Sequence, residues 1–95
     1  MRLRSSVSRF DAARPLSSLK AGATGVVARL VRDNVARADR LTALGVTPGA
    51  RVRVLQTFPG IVFLCDETEI AVERTVARAI LVNLGHGAKT GDIAY

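Results

Sequence analysis

The stretch RLTALGVTPGARVRV, residues 40–54, contains the signals that most strongly indicate the fold of this 95-residue chain. It completes a helical pattern over residues 35–44, and Gly45 stands where helices commonly end in a left-handed residue. Pro48 and Gly49 are typical of a tight turn, and arginine then alternates with valine, as in a strand with one solvated face. The stretch therefore predicts a short helix, a turn and a strand in succession.

Two leucines are predicted to attach this helix to the rest of the protein. Leu41 and Leu44 lie one helical turn apart, on the same stripe as Ala38. We expect both leucines to be buried, and replacement of Leu44 by alanine to lower the free energy of unfolding by about 2–5 kcal/mol. Asp33 or Asn34 provides the N-cap oxygen. A helix of about three turns is unstable alone, so it must pack on a sheet.

The other apolar segments predict strands. They span residues 26–31, 51–58, 61–65, 70–73 and 80–82, with one turn of helix over residues 75–78. The predicted fold class is mostly β: a small five-stranded barrel with one short α-helix between the first two strands, because closure removes exposed strand edges. We expect residues 1–14 to be a flexible basic N-terminal extension, residues 15–83 to form the domain, and residues 84–95 to be a flexible C-terminal tail.

The chain is strongly basic, with 14 lysines and arginines against 8 acidic residues and a net charge of +6. Such an excess favours acidic partners, nucleic acid among them. Proteins that bind nucleic acid commonly interleave basic and aromatic residues, but aromatics make up only 4% of this chain and none lies within a basic run. We therefore expect no nucleic-acid partner, and a basic nucleic-acid-binding barrel is kept as an alternative. No apolar segment approaches the length of about 20 residues that spans a membrane.

Residues suited to catalysis or metal binding are few. Nucleophilic catalysis needs a base beside the nucleophile, and the single cysteine, Cys65, and the single histidine, His86, do not form a convincing pair. A structural zinc site takes four Cys or His ligands, whereas this chain has one of each. Asp66, Glu67 and Glu69 offer oxygen ligands for a hard cation, but such a run is more typical of a solvated turn. We expect no enzyme activity, no cofactor and no metal site, and we expect Cys65 to be a buried apolar side chain.

Four arginines are the best candidates for a binding surface. Arg37 and Arg40 lie on the predicted helix, and Arg51 and Arg53 on the strand that follows. Arginine makes two-pronged contacts with carboxylates, so these residues predict a docking surface for an acidic partner. The alternative is an ordinary solvated face. Together with the absence of a catalytic constellation in the sequence, the pattern favours a binding module over an enzyme.

Residues 15–82 resemble the FeoA family, which comprises small cytoplasmic SH3-like proteins of bacterial ferrous iron transport. Three groups of residues carry the resemblance: Leu16-x-x-Leu19-x-x-Gly22 with Gly25-Val26-Val27; Arg40-Leu41-x-x-Leu44-Gly45-Val46-x-Pro48-Gly49 with Val52-x-Val54; and Ile70-Ala71-Val72 with Ala77-x-x-Ile80-x-Val82. Within the second group, the residues that we interpret as the signature of the fold are Leu41, Leu44, Gly45, Pro48 and Gly49.

The resemblance implies an SH3-like fold and a function exerted through a partner. A FeoA-like protein is expected to be an accessory or regulatory protein of ferrous iron uptake that binds the cytoplasmic, GTPase-bearing part of the FeoB membrane permease. Its expected location is the cytoplasm, peripheral to the inner membrane through that partner. Iron- and manganese-dependent repressors carry a similar C-terminal domain, so a free-standing SH3-like regulatory module is the alternative. A homo-oligomer is a further alternative, because exposed strand edges can pair between copies of the chain.

Overall fold

The computed structural model describes residues 12–84, which form six β-strands, two helices and one 3-10 turn. The elements in chain order are β1 (Arg14–Pro15), the 3-10 turn (Leu16–Ser18), β2 (Thr24–Leu30), α1 (Val35–Ala43), β3 (Arg51–Gln56), β4 (Ile61–Cys65), β5 (Thr68–Val72), α2 (Arg74–Ala77) and β6 (Ile80–Leu84). The mostly β fold with one short helix between the first two predicted strands is confirmed. Arg14 begins the first strand and Leu84 ends the last one.

All six strands belong to one antiparallel sheet, in the order β1-β6-β2-β3-β4-β5. The register shifts between Val27 and Arg29 in β2 and between Val54 and Gln56 in β3. Such irregularities bend strands and increase their twist, which lets the sheet curl around a core. The five predicted strands are all present, but two-residue β1 adds a sixth. Within residues 12–84 no ladder joins β5 to β1, so the predicted barrel is not closed.

The inner face of the curled sheet holds the core. In β3 and β4 every second residue points inward, as the alternation of the sequence predicts. The largest side chains that are almost wholly inaccessible are Phe63, Leu16, Ile61, Ile80, Val27, Val46, Val54 and Val82. One glycine permits close packing of the sheet, because a Cβ at Gly25 would lie 2.4 Å from the carbonyl oxygen of Asn83.

Helix α1 begins and ends at the predicted signals. The Asn34 side chain accepts a hydrogen bond from the Arg37 amide at 3.0 Å, which caps the first turn. At the other end Gly45 has a φ of 101°, the left-handed conformation that glycine adopts without a steric penalty. The Gly45 amide donates to the Thr42 carbonyl, and the Val46 amide donates to the Leu41 carbonyl. This pair of bonds is the Schellman motif, which reverses the chain at the end of the helix.

The prediction that Leu44 is buried is wrong. Leu41 is 3% exposed, whereas Leu44 is 47% exposed. The reason is the Schellman reversal, which turns the chain after Leu44 and places Val46 in the same core as Leu41. Val46 thus occupies the core beside Leu41, and Leu44 covers the end of the helix at the surface.

Two tight turns shape this part of the chain: one connects the helix to the meander formed by β3, β4 and β5, and the other lies inside the meander. Pro48-Gly49 makes the first, in which the Ala50 amide donates to the Thr47 carbonyl. The second follows β4 and contains no glycine. Asp66 takes a positive φ of 56° there, and its carboxylate accepts the Arg51 amide at 3.1 Å. Aspartate tolerates this conformation better than most residues because its short side chain bonds the local backbone.

Candidate functional site

Arg51 and Arg53 lie on the outer face of β3. Their neighbours in the strand, Val52 and Val54, point to the opposite face and are buried in the core. Both arginines are exposed, and neither has a carboxylate partner within 4 Å among residues 12–84. Their guanidinium groups are therefore available to an acidic partner on this face of the sheet.

Arg37 and Arg40 lie on α1 but differ in their surroundings. Arg40 is exposed in the last turn of the helix, without an ion pair to any residue of the described range. The side chain of Arg37 is only 22% exposed, and its Nη2 contacts the Asp33 carboxylate at 2.5 Å. A second ion pair on this side of the molecule, Arg32 with Asp39 at 3.5 Å, is exposed at both ends. Exposed pairs of this kind contribute little to stability.

The four predicted docking arginines do not form one continuous surface. Leu41 places α1 against the core on the inner face of the sheet, the same core that Val52 and Val54 enter. Arg51 and Arg53 project from the other face of β3. The structure therefore separates the predicted set into a helix surface (Arg37 and Arg40) and a strand surface (Arg51 and Arg53).

A cleft of about 320 Å³ lies beside the helix surface. It is formed by the chain after β2, the beginning of α1 and the turn between α2 and β6, and its lining residues are Val31, Asp33, Arg37, Thr75, Arg78 and Ala79. The Val31 amide donates to the Ala79 carbonyl at 2.8 Å, which ties two of these segments together. Arg37 and Arg78 therefore line the same cleft.

Arg78 and Thr75 were not predicted as site residues. They lie about 40 residues from Arg37 in the sequence, and no local pattern connects them with α1. The only available signal was their spacing, because residues three apart in a helical turn lie on the same side. Their position opposite Arg37 results from the antiparallel pairing of β2 with β6.

The acidic turn after β4 has a structural role. The Asp66 carboxylate accepts the Arg51 amide, as described above. Among residues 12–84, no three side chains of His, Cys, Asp or Glu approach one another closely enough to hold a metal ion. Within the same range, no helix is long and apolar enough to cross a membrane.

Cys65 is a buried side chain at the junction between the meander and α1, as predicted. Its thiol donates to the Gly45 carbonyl at 3.4 Å. Burial, and secondarily the negative charge of Asp66, raises the pKa of this thiol above its ordinary value. Such a thiol is a poor nucleophile at neutral pH, because the reactive species is the thiolate. His86, its only conceivable catalytic partner in the sequence, lies outside the described residues.

The curled antiparallel sheet with one short helix defines an SH3-like domain, and comparison with known proteins identifies its family. The sequence profile of the FeoA domain matches residues 14–84. The chain belongs to the FeoA family, whose members are small accessory proteins of ferrous iron transport. A search among curated proteins found no significant match.

Solved structures of FeoA proteins are similar to this chain in fold and in sequence. FeoA from Chlorobium tepidum shares 32% identity with this chain at a TM-score of 0.68, over 77% of this chain and 71% of that one. FeoA from Stenotrophomonas maltophilia, a prokaryotic SH3 domain protein solved with zinc, shares 26% identity at a TM-score of 0.64, over 70% of this chain and 86% of that one. A manganese-dependent transcriptional repressor shares 26% identity at a TM-score of 0.73, over 77% of this chain but only 41% of the repressor.

Proposed function

We propose that this protein is an accessory protein of ferrous iron uptake that binds the cytoplasmic, GTPase-bearing part of the FeoB permease. The observation that carries the proposal is the FeoA domain match, which covers nearly all of the described residues. On this proposal the protein works in the cytoplasm and reaches the inner membrane through its partner. Its contribution to transport is a protein–protein contact.

The exposed arginines support docking to an acidic surface. Arg40, Arg51 and Arg53 have no carboxylate partner within residues 12–84, so they present their full charge to solvent. Unpaired surface charges accelerate association and align a partner, and those that become buried at an interface also slow dissociation. Because the arginines occupy two surfaces, docking by each surface can be tested with the other surface as its comparison.

Ferrous iron uptake in cells that lack this gene tests the proposal directly. We expect uptake of labelled Fe²⁺ to fall when the gene is deleted and to return with a plasmid copy. A matched strain that lacks the permease gives the background. Normal uptake in the deletion strain, with the permease present and active, would contradict the proposed function.

Charge reversal on each surface tests which one docks. We expect either Arg37→Glu with Arg40→Glu, or Arg51→Glu with Arg53→Glu, to weaken binding to the purified cytoplasmic part of FeoB by about tenfold or more, since truncating a buried charge partner costs about 2–5 kcal/mol. Arg14→Glu, a charge reversal at an exposed position of β1, which β6 and β2 separate from β3, is the control. Thermal unfolding verifies that each variant is folded. Unchanged binding by both double variants would exclude these arginines as docking residues.

The likeness to the repressor supports a second candidate, a regulatory module that contacts a protein other than the permease. In that repressor the matching region is part of a longer chain, whereas here it accounts for most of the sequence. This candidate predicts normal uptake in the deletion strain together with stable capture of a different partner. The uptake experiment therefore separates the two.

A further inference from the structure

The cleft between Arg37 and Arg78 has the composition of an anion site. Two guanidinium groups and the Thr75 hydroxyl are its possible hydrogen-bond donors, and Val31 and Ala79 give it an apolar part. Arginine forks match the two oxygens of a carboxylate, and hydrogen bonds between charged groups are stronger than those between neutral ones. A volume of about 320 Å³ is at the small end of ligand sites, which suits a single side chain better than a nucleotide.

Arg37 retains unused hydrogen-bonding capacity. Of its side-chain donors only Nη2 has a recorded partner, the carboxylate of Asp33. Its Nε is buried and has no hydrogen-bond partner among residues 12–84. A buried donor without an acceptor is destabilising, so most native proteins satisfy such groups. A carboxylate bound in the cleft would supply acceptors for the Arg37 donors that Asp33 leaves free.

We propose that this cleft binds the carboxylate of an acidic side chain, held between Arg37 and Arg78. Local charge selects the ligand: two guanidinium groups and the Asp33 carboxylate leave one net positive charge, which one carboxylate neutralises. A doubly charged phosphate would leave the cleft with a net negative charge, and Asp33 would repel it more strongly than it repels a singly charged carboxylate. Asp33 also orients the Arg37 guanidinium through their contact, so Arg37 is already held in place before the ligand arrives.

The carboxylate belongs to a protein partner, because a small cleft with one net charge holds a free anion weakly but anchors a side chain that the surrounding interface delivers. The inference rests on the proposed function only for the identity of that partner. The carboxylate site itself is defined by residues of this chain and is tested without the permease.

An NMR titration of the full chain with sodium acetate provides that test. The titration is followed on the backbone amide and arginine Nε–H signals. Sodium chloride at equal ionic strength and inorganic phosphate are the comparison ligands. We expect acetate to shift the signals of Val31, Arg37, Thr75 and Ala79 with a saturable millimolar Kd, and chloride not to. The variant Arg78→Gln should weaken acetate binding by at least about tenfold, because it removes hydrogen bonds between charged groups, whereas Arg40→Gln should leave acetate binding unchanged.

Three results would overturn the proposal: acetate shifts no larger than those of chloride, equal acetate binding by Arg78→Gln and the parent protein, or phosphate binding tenfold tighter than acetate. A second measurement concerns the partner. If the parent protein binds the cytoplasmic part of FeoB and Arg78→Gln binds it equally well, use of the cleft for docking is refuted. If the parent does not bind it at all, the proposed function fails, and the acetate titration still decides whether the carboxylate site exists.

Discussion

The meander of β3, β4 and β5 and the helix α1 are attached to the molecule in different ways. The strands of the meander pair with one another, and their buried inward side chains are Val52, Val54, Ile61, Phe63, Cys65 and Ile70. Helix α1 contributes two buried residues, Ala38 and Leu41, and apart from the partly buried Arg37 its other residues are exposed. Of the fifteen side chains in the core cluster of residues 12–84, six therefore come from the meander and one, Leu41, comes from α1.

This difference separates stability from candidate function. Residues that hold the meander together are apolar and inaccessible, so their substitution changes folding. The helix surface and the cleft beside it contain charged side chains whose loss leaves the core intact. Three substitution experiments test this separation. Two of them compare a buried position with an exposed one, and the third compares the parent protein with a variant at the junction of the two regions.

The largest effect is expected in the meander. Phe63 in β4 is among the fully inaccessible side chains, so Phe63→Ala should lower the free energy of unfolding by about 3–5 kcal/mol through lost burial and a residual cavity. Urea unfolding measures the change. Leu55→Ala, at an exposed position of β3, is the control and should cost less than about 1 kcal/mol. Equal effects at the two positions would show that the meander is not the centre of stability.

A smaller effect is expected from the anchor of the helix. Leu41→Ala should cost about 2–4 kcal/mol, because Leu41 alone carries most of the apolar contact between α1 and the core. Leu44→Ala, three residues further along, should cost less than about 1 kcal/mol because half of that side chain is already in water. The two variants are compared by urea unfolding. A larger loss from Leu44→Ala would mean that the Schellman reversal does not set the packing of the helix.

The smallest effect is expected where the two regions meet, at Cys65. Its raised pKa means that the folded state holds the thiol proton more tightly than the unfolded state does. The corresponding stability is fully present below the ordinary thiol pKa of about 8.5 and is lost as pH rises through the folded-state pKa. Unfolding free energies from pH 7 to 10.5 should therefore decline more steeply for the parent than for Cys65→Ala. Parallel profiles would contradict burial of the thiol.

Local features of the fold could be read from single residues. Asn34 and Gly45 bound the helix because a capping oxygen and a left-handed residue act within one turn of the backbone. Pro48-Gly49 marks its turn for the same reason. The alternation in β3 identifies the buried face, since side chains along a strand point to opposite faces in turn. These signals need no knowledge of distant residues.

The exposure of Leu44 was not predictable from helical spacing. Leu41 and Leu44 share a stripe, and only the path of the chain after Gly45 decides that Val46 enters the core beside Leu41. Likewise, the acidic run after β4 indicates a turn, but without a glycine it does not indicate the conformation of that turn. Asp66 adopts a positive φ there, and its carboxylate accepts a hydrogen bond from the amide of Arg51 on the adjacent strand. Both outcomes depend on contacts between elements.

The sequence by itself determined the composition of the domain: a basic, mostly β chain with one capped helix, a single buried cysteine and a family resemblance that the domain match confirms. Only the tertiary structure decided how the arginines are grouped. It places Arg51 and Arg53 on the outer face of β3, and it places Arg37 and Arg78 in the lining of one cleft. The physical reason is that local signals act over a few residues of backbone, whereas neighbours across a cleft are set by strand pairing between distant parts of the chain.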